Sequence, residues 1–179
     1  MDGNTAEGRR SMFERFGEFD SYEEINRTAE GLKEEGDIES LKVLAKENGL
    51  DPEDAEDYFS GSIAELTTPA LAASGKIRLE VEQYKIKGIL RDWIEELESE
   101  LVRDENLAKA VRSKGKSITG YIAATAEYGY VNRAVVDKRI VEQSKVIKRI
   151  IGNHEFSIGI PDRRQRAKIM KEYYLGGTK

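Results

Sequence analysis

Cysteine is absent from the 179-residue chain. That excludes a disulfide framework and thiolate zinc ligation, and it fits a reducing compartment such as the cytosol. Histidine occurs once, as His154, so a relay or metal site built on paired imidazoles has no second member. No apolar run approaches the roughly 18 residues that span a bilayer. The opening stretch MDGNTAEGRR has none of the apolar core of a signal peptide, so neither export nor a membrane partner is expected. His154 has Glu155 beside it, but no cysteine or serine elbow accompanies the pair and adjacent side chains diverge in extended chain. No enzyme activity, metal or cofactor is expected.

What the chain does have is charge. Hydrophobic residues make up 39% and charged residues 35%, which predicts a folded core under a heavily solvated surface. The net charge of −5 conceals an asymmetry. Residues 1–105 hold 28 Asp and Glu against 13 Lys and Arg, whereas residues 106–179 hold 6 against 16. We therefore expect an acidic helical part, 1–105, and a basic helical part, 106–179, packed as one compact unit and meeting different partners.

Helix signals dominate. Ser21 to Glu24 reads as a capping box opening a helix over 22–35. Asp37 caps a second segment that stops at Asn48-Gly49, and Asp51-Pro52 starts a third that stops at Gly61. Ser62 to Glu65 reads as another capping box, and Thr68-Pro69 restarts the chain into Ala70–Ser74. Residues 76–82 alternate charged and apolar side chains with the period of a half-exposed strand, for which 156–160 is the available partner, although Ile77, Val81 and Tyr84 would also fit a helix. Ile86, Ile89, Leu90, Trp93, Ile94, Leu97 and Leu101 then form the apolar stripe of a central helix. Further helices are predicted over 104–113, 117–128, 132–151 and 162–175. The expected fold is mainly α, a compact multi-helix arrangement with one short two-stranded β element.

Several local patterns resemble chemical motifs and fail on spacing. Gly115-Lys116-Ser117 copies the end of a phosphate-binding loop, but Ala110 stands where a glycine is required, so a turn and a helix cap are expected. The carboxylates of 51–57 lack the glycine of a calcium loop and suit a solvated first helical turn. The basic residues are better grouped. On a helix over 132–151, Lys138, Lys145 and Arg149 would share one face, and Arg163, Arg164, Arg166, Lys168 and Lys171 crowd the last helix. Such clusters are the footprint of phosphate binding, or else a solvated face balancing the acidic part. Residues 117–140 also fit a helix-turn-helix with Asn132–Ile140 as the reading helix.

Three stretches carry a resemblance to a known family: Phe13 to Asn26, Leu41 to Tyr58, and Lys171 to Gly177. In these the chain resembles anti-CRISPR Cas9 inhibitors encoded by mobile elements of gut Firmicutes. The resemblance implies a cytoplasmic protein of a bacterial host that binds Cas9 loaded with guide RNA and blocks productive target binding or cleavage. Cas9 holds nucleic acid in a positively charged channel. The carboxylates of Asp51, Glu53, Asp54, Glu56 and Asp57, with Glu95, Glu96, Glu98 and Glu100, are the candidates for competing there. The basic part would then touch RNA, DNA or an acidic surface of the effector. The alternative function is a DNA-binding accessory or regulatory protein of a mobile element, acting through the helix-turn-helix.

Overall fold

The computed structural model describes residues 13–176, so the opening segment and Gly177 of the third resembling stretch lie outside the described residues. Among these residues the chain is mainly helical, with ten helices and one two-stranded antiparallel sheet. It divides into two compact units, residues 1–118 and 119–179. The boundary falls after Ile118 rather than at 105, because the helix at 105–112 packs into the first unit.

The first unit opens with α1 (Tyr22–Glu34), α2 (Ile38–Glu47) and α3 (Pro52–Ser60). Each start is capped by the predicted side chain. Ser21 accepts from the Glu24 amide at 3.4 Å, Asp37 from Ser40 at 2.9 Å and Asp51 from Glu53 at 3.0 Å. The Glu24 carboxylate reaches one residue further back than expected, accepting from the Asp20 amide at 2.8 Å. Ile25, Ala29, Leu41, Leu44, Ala45, Ala55 and Tyr58 close one core from all three helices. No helix begins at Ser62: residues 62–67 are bends and irregular chain, and Thr68 caps the next element by accepting from Leu71 at 3.3 Å.

That next element is α4 (Pro69–Tyr84), and it overturns the strand expected over 76–82. Ala72, Ala73, Lys76, Ile77 and Glu80 are buried at helical spacing, while Arg78 and Glu82 are exposed. The alternation misled because two of its charged members point inward. The Lys76 amine donates to the carbonyls of Ser113 at 2.8 Å and Lys116 at 2.6 Å, and lies 3.2 Å from the Glu18 carboxylate. One turn on, Glu80 accepts from the Ile118 amide at 2.8 Å. Satisfied in this way, two ions can occupy a buried helix face. Gly75 lets α4 press against the end of α2: a Cβ on Gly75 would stand 2.2 Å from the Asn48 carbonyl.

Two further helices complete the unit. Helix α5 (Ile89–Leu101) starts three residues later than its apolar stripe, after Gly88 at φ +63°, and buries Trp93, Ile94, Leu97 and Leu101. Helix α6 (Glu105–Arg112), capped by Asp104, packs on α4 and α5. At its end the buried Arg112 guanidinium donates to the Phe19 carbonyl at 3.0 Å and to the Asn48 side chain at 2.9 Å. Gly115 forms the expected turn at φ +82°.

In the second unit, α7 (Ile118–Val131) continues from the boundary and buries Tyr121 and Thr125. The single helix expected over 132–151 is absent. Asn132 donates back to the Tyr128 carbonyl at 2.8 Å instead of capping a new helix. The chain then extends as β1 (Ala134–Val135). Asp137 and Ser144 each cap a separate short helix: α8 (Lys138–Val141) and α9 (Lys145–Ile151). Side chains that offer an amide a local acceptor restart helices rather than continue them. The partner of β1 is β2 (Ser157–Ile158), so 156–160 does pair, though with 134–135 and not with 76–82. The last helix, α10 (Arg163–Leu175), opens on a capping box between Asp162 and Gln165, with both bonds at 2.8 Å.

This course of the chain leaves no helix-turn-helix over 117–140. The reading helix would occupy 132–140, which is extended over 134–135 and only one turn of helix thereafter. Gly129, expected as the turn, lies inside α7, where its missing Cβ admits the Gly159 carbonyl; a Cβ there would stand 2.4 Å from it.

The buried pair on α4 generates a pH prediction. Burial raises the Glu80 carboxyl above the ordinary glutamate range, against the opposing pull of the Ile118 amide and the neighbouring cations. An acid with a raised folded pKa binds more protons in the native state, so stability falls as pH rises from the unfolded value of about 4.3 through the folded one. Glu80→Gln keeps an acceptor for the Ile118 amide and removes the titration. The melting temperature of Glu80→Gln relative to the unaltered chain should therefore climb as pH increases above about 4.3. A difference that stays flat with pH would show that this carboxyl is not held raised.

Candidate functional site

The expected carboxylates do not form one cluster. Helix α3 packs against α2, whereas α5 packs against α4 and α6, so the two acidic sets belong to different helix pairs. On α3, Ala55 and Tyr58 face inward, and at 100° per residue Glu53, Glu56 and Asp57 project from the opposite side. Glu56 pairs with Lys42 at 2.6 Å. Glu53 and Asp57 are exposed and carry no ion pair among the described residues. Asp51 serves as the cap and Asp54 is half-buried.

On α5 the carboxylates are largely committed within the helix. Arg91 lies 3.3 Å from both Glu95 and Glu98, and Arg103 lies 3.4 Å from Glu100. Glu96 is half-buried and likewise engaged. Such exposed pairs contribute little to stability, but they reduce the charge that α5 presents to a partner.

A groove that sequence patterning did not disclose lies on the same unit. It encloses about 390 Å³ and is lined by Tyr22, Glu23, Asn26, Arg27, Glu30, Tyr58, Ala64 and Glu65. Burial raises the Tyr58 phenol above its ordinary range, and Glu30, Glu34 and Glu65 add to the shift. Its three glutamates stand beside Arg27, and both aromatic rings already carry a cation of the chain, Lys109 at 5.8 Å from the centre of Tyr22 and Lys33 at 4.5 Å from that of Tyr58. Its members are spread over positions 22–65, so no local spacing announces it.

The basic residues divide between three helices. Lys138 lies on α8, while Lys145 and Arg149 lie on α9, so they do not share one helical face. On α10 the wheel places Arg164, Lys168 and Lys171 within about 60° of one another, and all three are exposed. Lys168 is 3.7 Å from Glu172. Arg163 is exposed outside this stripe, and Arg166 turns back to donate to the Pro161 carbonyl. Ile169, Met170 and Tyr174 form the buried side, so Tyr174 serves packing. An exposed Tyr130 ring with the Arg133 guanidinium 4.2 Å from its centre was also not anticipated.

His154 lies in a cleft of about 690 Å³ whose lining includes Val135, Lys138, Val141, Lys148 and Phe156. Asp137, Glu142 and Glu155 also line it, and Arg139 holds the Asp137 carboxyl below its ordinary range. No serine, threonine or cysteine is among the lining residues. Among the described residues, no three histidines, cysteines or carboxylates are grouped as metal ligands, and no helix is long and apolar enough to cross a membrane. Comparison with family models, with curated proteins and with solved structures returns no match.

Proposed function

We propose that this chain is an inhibitor of Cas9 that binds the effector with its guide RNA through the acidic helical unit and obstructs target engagement. The observation that carries the reading is the outward face of α3, where Glu53 and Asp57 stand exposed and without cationic partners among the described residues. They belong to a unit whose 118 positions hold 28 of the chain's 34 acidic residues, against 17 basic ones. The groove on the same unit adds the carboxylates of Glu23, Glu30 and Glu65 to this acidic surface, and an effector that handles nucleic acid offers lysines and arginines. Two of the stretches that resemble anti-CRISPR inhibitors, Phe13–Asn26 and Leu41–Tyr58, supply most of the core beneath α1 to α3.

The test is a Cas9 cleavage reaction titrated with the purified chain. Inhibition is expected, and Glu53→Lys, Glu56→Lys and Asp57→Lys together should weaken it by about tenfold, because complementary charge governs encounter and register. The melting temperature should change little, as an exposed first-turn acid such as Glu53 contributes about 0.3–1 kcal/mol and an exposed pair such as Lys42–Glu56 contributes about 0–1 kcal/mol. Absence of inhibition by the unaltered chain would remove the proposal. Full potency in the triple variant would remove α3 from it.

The stripe of Arg164, Lys168 and Lys171 favours a second reading, in which the basic unit binds nucleic-acid phosphates, as in a DNA-binding accessory protein. Each neutralised phosphate releases counterions, so affinity for duplex DNA should fall steeply with salt. Replacing the three by glutamine should flatten the logarithmic slope by roughly 0.7–0.9 for each phosphate that is no longer neutralised. Fluorescence anisotropy across a salt series reads this directly, and no binding by the unaltered chain at low salt would dismiss it.

A further inference from the structure

The second unit leaves a large share of its aliphatic surface uncovered. Of the twelve large hydrophobic residues that are exposed among the described residues, nine lie beyond position 118. The clearest case is α9, Lys-Val-Ile-Lys-Arg-Ile-Ile. Ile147 and Ile151 are half-buried, whereas Val146 is 58% and Ile150 74% exposed. At 100° per residue Val146 and Ile150 lie within about 40° of each other, and Arg149 and Lys145 occupy the adjoining sector. All three cations of the helix are exposed, and none has an ion pair among the described residues. Lys148 projects about 180° away from the aliphatic pair and lines the His154 cleft, which leaves Lys145 and Arg149 beside the pair. The helix carries no carboxylate of its own.

From this juxtaposition we infer that the outer face of α9 is a docking surface for an acidic segment of another protein, one that brings aliphatic side chains to Val146 and Ile150 and carboxylates to Lys145 and Arg149. The inference concerns a different unit from the acidic face proposed to engage Cas9 and stands independently of it. Charge complementarity selects the partner's sign: two unpaired cations on this face repel a second copy of the same face, so a symmetric dimer through α9 is opposed. The apolar pair selects its class. A phosphate backbone answers the cations but covers no aliphatic surface, and nucleobases stack on aromatic rings, which α9 lacks. Two turns bearing two exposed aliphatics offer much less apolar area than the helices that lie in a lipid interface.

The probe is a synthetic peptide of leucines and glutamates patterned so that a helix would carry its leucines on one face. The control has the same composition with the leucines dispersed. The full chain should bind the patterned peptide and bind the control at least about tenfold more weakly, since burying two aliphatic side chains is worth a factor of ten or more. Val146→Ser with Ile150→Ser should lose at least about tenfold in peptide affinity at unchanged melting temperature. Lys145→Gln and Arg149→Gln together should weaken binding and reduce its salt dependence.

Any of four results would overturn the inference. The patterned peptide does not bind, or it binds the serine variant as well as the unaltered chain. Duplex DNA, RNA or vesicles of phosphatidylserine and phosphatidylcholine bind through α9, as shown by loss in the glutamine variant, while the peptide does not. Sedimentation shows self-association of the unaltered chain that the serine variant abolishes, which would make a second copy the occupant.

Discussion

Two ions one helical turn apart on α4 govern the first unit. Lys76 and Glu80 face inward and are only 3% and 5% exposed. Each is tolerable there because the backbone around it has been turned to meet it. The carbonyls of Ser113 and Lys116 point at the amine, and the Ile118 amide points at the carboxylate. Burial lowers the Lys76 pKa while raising that of Glu80, so each ion is held against a desolvation cost that its partners offset. The same bonds fix the course of residues 113–118 after α6. Through Glu18 they also draw the segment before α1 toward α4. Arg112 repeats the device from the other side, tying the Phe19 carbonyl and Asn48 to the end of α6.

How legible this was in the sequence depends on where the deciding partner lies. Helix starts were legible because the capping side chain is a neighbour of the amide it satisfies. Ser21, Asp37, Asp51 and Thr68 cap as their spacing suggests, whereas Asn132 does not. The segment over 76–82 reads as a strand because the partners of Lys76 and Glu80 come from distant positions in the chain, and without them charged residues signal exposure. The long helix over 132–151 fails for the opposite reason. Apolar periodicity outweighed two local caps, Asp137 and Ser144, each sufficient to restart the chain.

The candidate surfaces follow the same logic. That Asp51 caps α3 and that acids open its first turn could be read from Asp51-Pro52. Which of them remain unpaired could not, since Lys42 answers Glu56 from another helix. The acidic tyrosine groove is assembled from α1, α3 and the bends after it, and only the fold brings those together. On the basic side, splitting 132–151 into α8 and α9 dissolved one expected cationic face and left another, on α9, beside exposed aliphatics.

If the acidic unit meets the guide-loaded effector through the outward face of α3, that face must be covered in the complex. Amide hydrogen exchange of the full chain, alone and with an excess of Cas9 and guide RNA, examines it without altering a residue. Exchange should slow across residues 51–61 on addition of the complex, because binding both covers the helix and suppresses its local opening. Unchanged exchange over 51–61, with slowing confined to other parts of the chain or absent altogether, would contradict the proposed mode of engagement.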